Sequence, residues 1–144
     1  MTPFQNKSVA NAFDAFEPRI RKQLLLFREL IFDVASATKG VGPIEETLKW
    51  GEPAYLTSMS KSGSTIRLGF SPKRPKTSDQ CAIYFNCNTN LVETFRTLFS
   101  EDLLFEGNRA LLSQSDARLT KARVEQIRFC IAAALTYHRD KAKK

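Results

Sequence analysis

The segment from Arg19 to Ser36 carries a broad apolar stripe with a helical period, and this stripe limits the folds that the chain can adopt. Its members recur at spacings of three and four, with neighbours that widen the stripe: Ile20, Leu24, Leu25, Leu26, Phe27, Leu30, Ile31, Phe32 and Val34. Pro18 suits the first turn of this helix, because proline needs no backbone donor there. We expect a helix with so wide an apolar face to lie across a sheet.

Segments with the alternation of strands follow one another in the chain. Strands are predicted in four stretches, of which the last holds two joined at 106–108: 54–58, 65–70, 81–87 and 103–113. Further helices are predicted on either side of these strands: 10–16, 43–49, 91–99 and 121–138. Consecutive strands flanked by helices indicate an α+β protein, a two-layer sandwich in which an antiparallel sheet of about five strands carries helices on one face.

The length of 144 residues, with 42% hydrophobic and 26% charged residues, predicts a single domain over 1–144. We expect its core to run from about 19 to 139, with flexible ends at 1–7 and 140–144. The longest uninterrupted apolar stretch, 129–135, is too short to cross a membrane, and the chain begins without the pattern of a secretory signal. Three cysteines without a CxxC pair favour a reducing, cytoplasmic location and argue against a disulfide framework or a zinc site.

The net charge of +7 is concentrated in two parts of the chain. Lys73, Arg74 and Lys76 lie in a proline-bearing loop, and the tail 139–144 adds four basic residues against one acidic residue. The remainder is close to neutral, so the excess charge does not follow a helix face. This distribution argues against nucleic acid as a partner, although such charge can support nonspecific phosphate contacts.

The only tryptophan, Trp50, follows the predicted helix 43–49 in the sequence KWGEP. Gly51 can adopt the left-handed conformation that ends a helix, and Glu52 precedes a proline, which favours extended backbone. We therefore interpret KWGEP as a transition from helix to strand. Trp50 is expected mainly to anchor this junction and secondarily to form the wall of a pocket.

Alternation divides the side chains of the predicted strands between two faces of the sheet. The core face is expected to hold mostly apolar side chains: Ala54, Leu56, Ile66, Leu68, Phe70, Cys81, Ile83, Phe85 and Cys87. The opposite face is expected to hold Tyr55, Arg67, Gly69, Tyr84 and Asn86, with Arg109 as a further candidate from a later strand. Phenol and guanidinium groups in a partly covered hollow can bind a carboxylate or phosphate through charge-assisted hydrogen bonds.

We therefore predict a ligand-binding site on the non-core face: Trp50, Tyr55, Arg67, Tyr84, Asn86 and Arg109. Its rim is expected to include four charged residues: Glu46, Lys49, Glu52 and Glu106. The alternative is a merely solvated sheet face, on which tyrosine and arginine are simply good strand residues. No phosphate loop, nucleophile elbow or dinucleotide-binding pattern occurs, and the only histidine, His138, suits the end of a helix. The sequence thus indicates no catalytic residues and no metal ligands, and it leaves any cofactor unidentified.

Five stretches together resemble the YdhG-like domains of unknown function: VGPIEETLKWGEPAYLT, GSTIRLGF, AIYFNCNTNLVETFRTLF, FEGNRALL and CIAAALTYHR. The resemblance covers about Arg19 to Arg139, which is most of the chain. It implies an architecture similar to that of frataxin, an α+β sandwich. Because some relatives are labelled frataxin-like iron chaperones, the resemblance also implies iron binding as one alternative.

The leading hypothesis is a non-catalytic cytoplasmic domain that binds a small anionic or planar ligand on the non-core sheet face. Two alternatives stay open, namely the iron carrier and a module that binds a protein or nucleic acid. An exposed apolar patch on the sheet face would also suit a homodimer.

Overall fold

The chain is described by a computed structural model over residues 1–70, 80–114 and 118–142. Its helices in these ranges are α1 (Lys7–Ala15), α2 (Pro18–Ala37), α3 (Leu91–Phe99), α4 (Lys121–Leu135) and α5 (Tyr137–Ala142). Its strands there are β1 (Glu45–Lys49), β2 (Glu52–Leu56), β3 (Ile66–Phe70), β4 (Gln80–Tyr84), β5 (Leu104–Glu106) and β6 (Ala110–Gln114). None of these helices is both long and apolar enough to cross a lipid bilayer.

The six described strands form one sheet in the order β1-β2-β3-β4-β6-β5, and every neighbouring pair is antiparallel. The predicted α+β class with an antiparallel sheet is therefore confirmed. The sheet has a strand more than the sequence led us to expect. The additional strand is β1, which lies at one edge of the sheet.

Residues 45–49 form β1, so the predicted helix over 43–49 is wrong. The segment pairs along its whole length with β2. Trp50 and Gly51 connect the two strands with positive φ angles of 55° and 76°, the backbone geometry of a two-residue hairpin turn. The interpretation of KWGEP as a helix-to-strand transition is therefore wrong as well. Local helix signals in so short a segment are weak, and the ladder of hydrogen bonds to β2 outweighs them.

Helices α1 to α4 cover one face of the sheet. Their buried side chains include Val9, Phe13, Leu24, Phe27, Ile31, Phe95, Ile127 and Ile131. These side chains form one cluster with residues of the strands: Tyr55, Ile66, Leu68, Ile83 and Leu111. Helix α2 contacts β3, β4 and α4, as expected for a helix with a wide apolar face. The opposite face, which we call the outer face, carries a small buried cluster of its own: Ala82, Tyr84, Ala110 and Leu112.

The two faces of β2 are the reverse of those that alternation predicted. Tyr55 is fully buried on the helix-covered face, opposite Ile66. Ala54 lies opposite Arg67, so Ala54 and Leu56 belong to the outer face instead of the core face. The hairpin turn fixes this register, and a shift of one residue in a strand exchanges its faces. Alternation assigned β3 correctly, with Arg67 on the outer face.

Two further residues that were expected on the core face are exposed. Phe70 ends β3 and is 41% exposed, with its ring set edge-on to Phe16. Cys87 is an exposed free thiol. It lies beyond the end of β4 at Tyr84, where strand alternation no longer applies. Both differences therefore arise at the ends of strands.

The segment 1–7, expected to be flexible, includes three residues that a buried arginine holds in place. Arg28 of α2 is 0% exposed and donates to Glu46 through Nε (2.5 Å) and Nη2 (3.0 Å), and to Glu29 through Nη1 (3.0 Å). It also donates to two backbone carbonyls of Thr2–Phe4, and the Phe4 ring lies 3.9 Å from its guanidinium carbon. These contacts anchor Thr2–Phe4, which we call the amino-terminal arm, to α2.

The last predicted helix is divided in the structure. It begins as predicted, with the hydroxyl of Thr120 capping the first turn of α4. It ends at Leu135, where donors of the loop between β2 and β3 form hydrogen bonds with its last carbonyls. The Ser64 N–H donates to the carbonyl of Ala134 (2.8 Å), and the Ser62 hydroxyl donates to that of Leu135 (2.8 Å).

Gly63 allows this loop to approach α4, since a Cβ at this position would collide with the backbone of Leu135. The chain then continues as α5, which contains His138 and the first residues of the expected flexible tail, 140–142. Residues 143–144 lie outside the described part of the chain, as does the basic loop at 73–76.

Candidate functional site

A hollow of about 200 Å³ lies on the outer face, beside Arg67 of β3 and Tyr84 of β4. These two residues lie opposite each other in the β3–β4 ladder. Further lining residues are Lys49 at the end of β1, Trp50 in the turn that follows, Asn86 after β4 and Arg109 before β6. We call this site the outer hollow.

Tyr84 forms a fixed aromatic floor between two arginines. Its side chain is 4% exposed, and its hydroxyl donates to the carbonyl of Phe70 at 3.1 Å. The guanidinium carbons of Arg67 and Arg109 lie 5.6 and 5.1 Å from the centre of its ring, within the range of cation–π interaction. Burial and the nearby Glu52 carboxylate raise the pKa of Tyr84, so this phenol stays neutral at physiological pH.

Arg67 is paired with Glu52, the first residue of β2. The Arg67 Nη1 lies 3.1 Å from the Glu52 Oε1, and both side chains keep about a quarter of their surface exposed, at 24% and 28%. Gly69 makes room for this carboxylate, because a Cβ there would collide with the Glu52 Oε2. Burial raises the pKa of Glu52, while Arg67 and Arg109 act in the opposite direction.

Arg109 reaches the outer hollow from the turn between β5 and β6. Its backbone carbonyl accepts a hydrogen bond from the Phe85 N–H at 2.6 Å, which fixes the turn beside the end of β4. Nearby, the Asn108 side chain donates to the carbonyl of Cys87 at 3.0 Å. These bonds hold the Arg109 backbone in place, while its side chain stays exposed to solvent.

Trp50 lines the outer hollow and is 91% exposed, which is unusual for the largest apolar side chain. Its positive φ is unusual too, because bulky residues rarely adopt the left-handed region. The expectation that Trp50 mainly anchors a junction is therefore wrong. Trp50 instead lies at the wall of the outer hollow. The hairpin turn presents the indole to solvent beside Lys49.

The structure brings six of the predicted site residues together. These are Lys49, Trp50, Arg67, Tyr84, Asn86 and Arg109. Glu52 adjoins them through its ion pair with Arg67, and Glu106 acts on the pKa of Tyr84, which it raises. Alternation along β3 and β4 carried the assignments of Arg67 and Tyr84, since both strands were read in the correct phase.

Tyr55 and Glu46 do not belong to the outer hollow, although both were predicted there. They lie on the helix-covered side, where the Tyr55 hydroxyl donates to the Glu46 Oε2 at 2.8 Å, beside the Arg28 guanidinium. Glu46 was expected at a helix surface, and the strand β1 turns it inward instead. These two residues therefore form part of the core.

Sequence reasoning missed Cys87, whose side chain lines the outer hollow. The signal was present in the segment NCNTN, because its three asparagines favour turns over strands. A strand that ends before this segment frees Cys87 from the alternation that assigned it to the core. Cys81 and Cys130, by contrast, are buried.

Other hollows occur in the described part of the chain. One, of about 180 Å³, lies between the start of α4 and strands β5 and β6, and is lined in part by Leu103, Arg123 and Ile127. Another, of about 330 Å³, lies beside the β2–β3 loop and includes Lys61 and His138. Among the residues that the structure describes, no group of three or more His, Cys, Asp or Glu side chains is arranged to hold a metal ion. The hollow beside α4 and the hollow beside the β2–β3 loop contain none of the predicted site residues among their described lining residues.

Comparison of the chain with protein-family models, with curated proteins and with solved structures finds no match.

Proposed function

We propose that the outer hollow binds a small, planar, anionic ligand, and that the protein acts by binding it without catalysing a reaction. One observation carries this proposal. Arg67 and Arg109 hold two guanidinium groups over the same buried, neutral ring of Tyr84. Such an arrangement concentrates positive charge at one point, where an oxyanion can accept charge-assisted hydrogen bonds.

The charges around the outer hollow favour an anion. Lys49, Arg67 and Arg109 contribute three positive charges, and Glu52 and Glu106 contribute two negative charges. Guanidinium groups suit carboxylate, sulfonate and phosphate because their N–H groups form a planar fork. The excess positive charge is small, which favours ligands with one negative charge.

The aromatic wall favours a planar ligand. Trp50 exposes nearly all of its surface at the rim, and an indole offers a flat surface on which a ring can stack. Small-molecule sites commonly combine such apolar walls with a few convergent polar groups. Trp50 and the arginines are the parts of the hollow that would contact the ring and the anion of the ligand respectively.

Binding is favoured over catalysis because the lining offers no acid–base pair for a nucleophile. The strongest nucleophile among the described lining residues is the thiol of Cys87, and the single histidine, His138, lines a different hollow. A thiol used in covalent catalysis needs an adjacent base or a similar activating group. We propose a cytoplasmic location on the ground that all three cysteines are free thiols.

Two reporters built into the outer hollow allow a direct test. Trp50 is the only tryptophan, so selective tryptophan fluorescence reports on this hollow alone. Cys87 is the only exposed cysteine, so a thiol reagent reports on the same place. The buried Cys130 stays unreactive, since burial raises its pKa to about 12. The probes are benzenesulfonate, which is planar and anionic, and benzenesulfonamide, its neutral counterpart.

We expect benzenesulfonate to change Trp50 fluorescence saturably and to slow the labelling of Cys87, and benzenesulfonamide to do neither. Arg67→Ala should abolish both effects. Arg128→Ala is the matched control, because it removes an arginine from an ion pair with Asp33 on the helices and should leave both effects intact. If benzenesulfonate produces no saturable signal in the wild type, the proposal is wrong.

The same assay tests the alternatives that the sequence raised. A saturable response to ferrous iron at neutral pH would favour the iron carrier. A response to short nucleic acids that weakens steeply with salt would favour a nucleic-acid module. A change of mass with protein concentration in light scattering would support a homodimer.

A further inference from the structure

We infer that the Glu52 carboxylate occupies the anion site of the outer hollow when no ligand is bound. It pairs with Arg67 until the anionic group of the ligand takes the place of the carboxylate. This inference rests on the proposed function and adds how the site is controlled. Its consequence is that binding is coupled to protonation, so that the hollow binds an anion more tightly at mildly acidic pH than at neutral pH.

The geometry of Glu52 resembles that of a bound ligand carboxylate. One oxygen, Oε1, lies 3.1 Å from Arg67 Nη1, and the other lies over Gly69, where no Cβ obstructs it. Glu52 starts β2 directly after the Trp50–Gly51 turn, and its carboxylate reaches Arg67 and Gly69 of the neighbouring strand β3. An oxyanion that uses Arg67 must therefore share or replace this carboxylate.

Every described strand around Glu52 presents a charged or titratable group to it. Lys49 lies opposite Glu52 in the β1–β2 ladder. Arg67 of β3 and Arg109 before β6 are positively charged. Glu106 at the end of β5 is negatively charged, and Tyr84 of β4 is neutral. Arg67 and Arg109 favour the ionised form of Glu52, and burial opposes it.

Burial is the largest of these effects, and it raises the pKa of Glu52 above its ordinary value of 4.5. Protonated Glu52 no longer neutralises Arg67, so the affinity for an anion rises as the pH falls toward this raised pKa. A bound anion acts in the same direction, because a second negative charge near Glu52 raises its pKa further. By linkage, binding of the anion and uptake of a proton favour each other.

The test compares benzenesulfonate binding by the wild type, Glu52→Gln and Asp33→Asn, with Trp50 fluorescence and Cys87 labelling as readouts between pH 5 and pH 8. Benzenesulfonate stays ionised throughout, so any pH dependence comes from the protein. Asp33→Asn is the matched control, since it also removes the carboxylate partner of an arginine, but in a pair between Asp33 of α2 and Arg128 of α4. Thermal unfolding establishes that each variant is folded.

We expect Glu52→Gln to tighten binding at neutral pH by about two- to fivefold, which corresponds to the loss of a partly exposed ion pair. The wild type should tighten as the pH falls, and Glu52→Gln should lose most of that dependence, whereas Asp33→Asn should behave as the wild type. If wild-type affinity for benzenesulfonate is the same at both ends of the pH range, the inference is wrong, whatever the variants do. Equal affinities for Glu52→Gln and the wild type would overturn it as well. In both cases saturable binding leaves the proposed function standing, and an absence of binding in every protein overturns that function instead.

Discussion

Arg28 and Arg67 both pair with a glutamate, but their surroundings give the two pairs different roles. Arg28 is fully buried, and its N–H groups are shared among Glu46, Glu29 and the carbonyls of the amino-terminal arm. Burial alone would lower its pKa, but the hydrogen bond and charge of Glu46 raise it, so Arg28 stays charged. Arg67 keeps part of its surface exposed and has one carboxylate partner at the edge of a hollow. Under the proposed function, Arg67 is therefore the one of the two arginines that can exchange its partner for a ligand.

Removing a buried ion pair should cost more stability than removing an exposed one. Arg28→Ala leaves Glu46 buried without its partner and releases the amino-terminal arm, so we expect a loss of about 3–5 kcal/mol in the free energy of unfolding. Arg128→Ala removes the exposed pair with Asp33 and should cost at most about 1 kcal/mol. Denaturant titration followed by circular dichroism measures both, and similar losses for the two variants would contradict this account.

The sequence reached the residues of the outer hollow more accurately on some strands than on others. Arg67 and Tyr84 were placed correctly because alternation alone fixes which side of a strand a residue occupies once the phase is known. Tyr55 was misplaced, since the phase of β2 depends on a hairpin partner, β1, that local signals described as a helix. Cys87 was missed because the end of β4 decides its position, and element ends are the least predictable feature of a sequence.

At the scale of elements, the hairpin β1–β2 carries a residue poorly suited to its turn. Two-residue hairpin turns with positive φ at both positions favour Asn-Gly, and here the first position is Trp50. A bulky residue in this conformation costs about 1–3 kcal/mol, which persists only where the surrounding structure holds it. Placing an indole at the rim of the outer hollow gives this strained position a use.

Trp50→Asn should therefore make the protein more stable and a poorer binder. We expect a gain of about 1 kcal/mol in the free energy of unfolding, from relief of the backbone strain, and weaker protection of Cys87 by benzenesulfonate. Lys61→Asn is the matched control, because Lys61 also has a positive φ, of 56°, but lines a different hollow. It should gain stability without changing the protection of Cys87, and equal binding by Trp50→Asn and the wild type would remove the indole from the site.

The contact between the β2–β3 loop and the end of α4 depends on Gly63. A side chain there would collide with the backbone at Leu135, and backbone cannot move aside as a flexible side chain does. We expect Gly63→Ala to lower the free energy of unfolding by about 1–3 kcal/mol and to weaken the hydrogen bonds that Ser62 and Ser64 donate to α4. Faster amide hydrogen exchange at Ser64 would accompany the loss, and unchanged stability and exchange would show that the loop can shift without cost.

For the whole molecule, the class of fold followed from the sequence, whereas the arrangement of the sheet did not. The predicted helix 19–36 matches α2 closely, because an apolar stripe depends only on local spacing. The strand order places β6 between β4 and β5, a pairing between segments distant in the chain that no local pattern encodes. The edge strand β1 is known only from its partner β2.

Under the proposed function, the two faces of the sheet have separate roles, and this separation bears on how the protein can change over evolutionary time. The helix-covered face holds the fold through Phe27, Ile83 and their neighbours. Lys49, Arg67 and Arg109 stand on the other face, outside both buried clusters. Substitutions at these three positions can alter the charge and shape of the outer hollow while the fold persists. If the outer hollow binds the proposed ligand, a lineage of such chains is free to diversify in what it recognises long before it diverges in architecture.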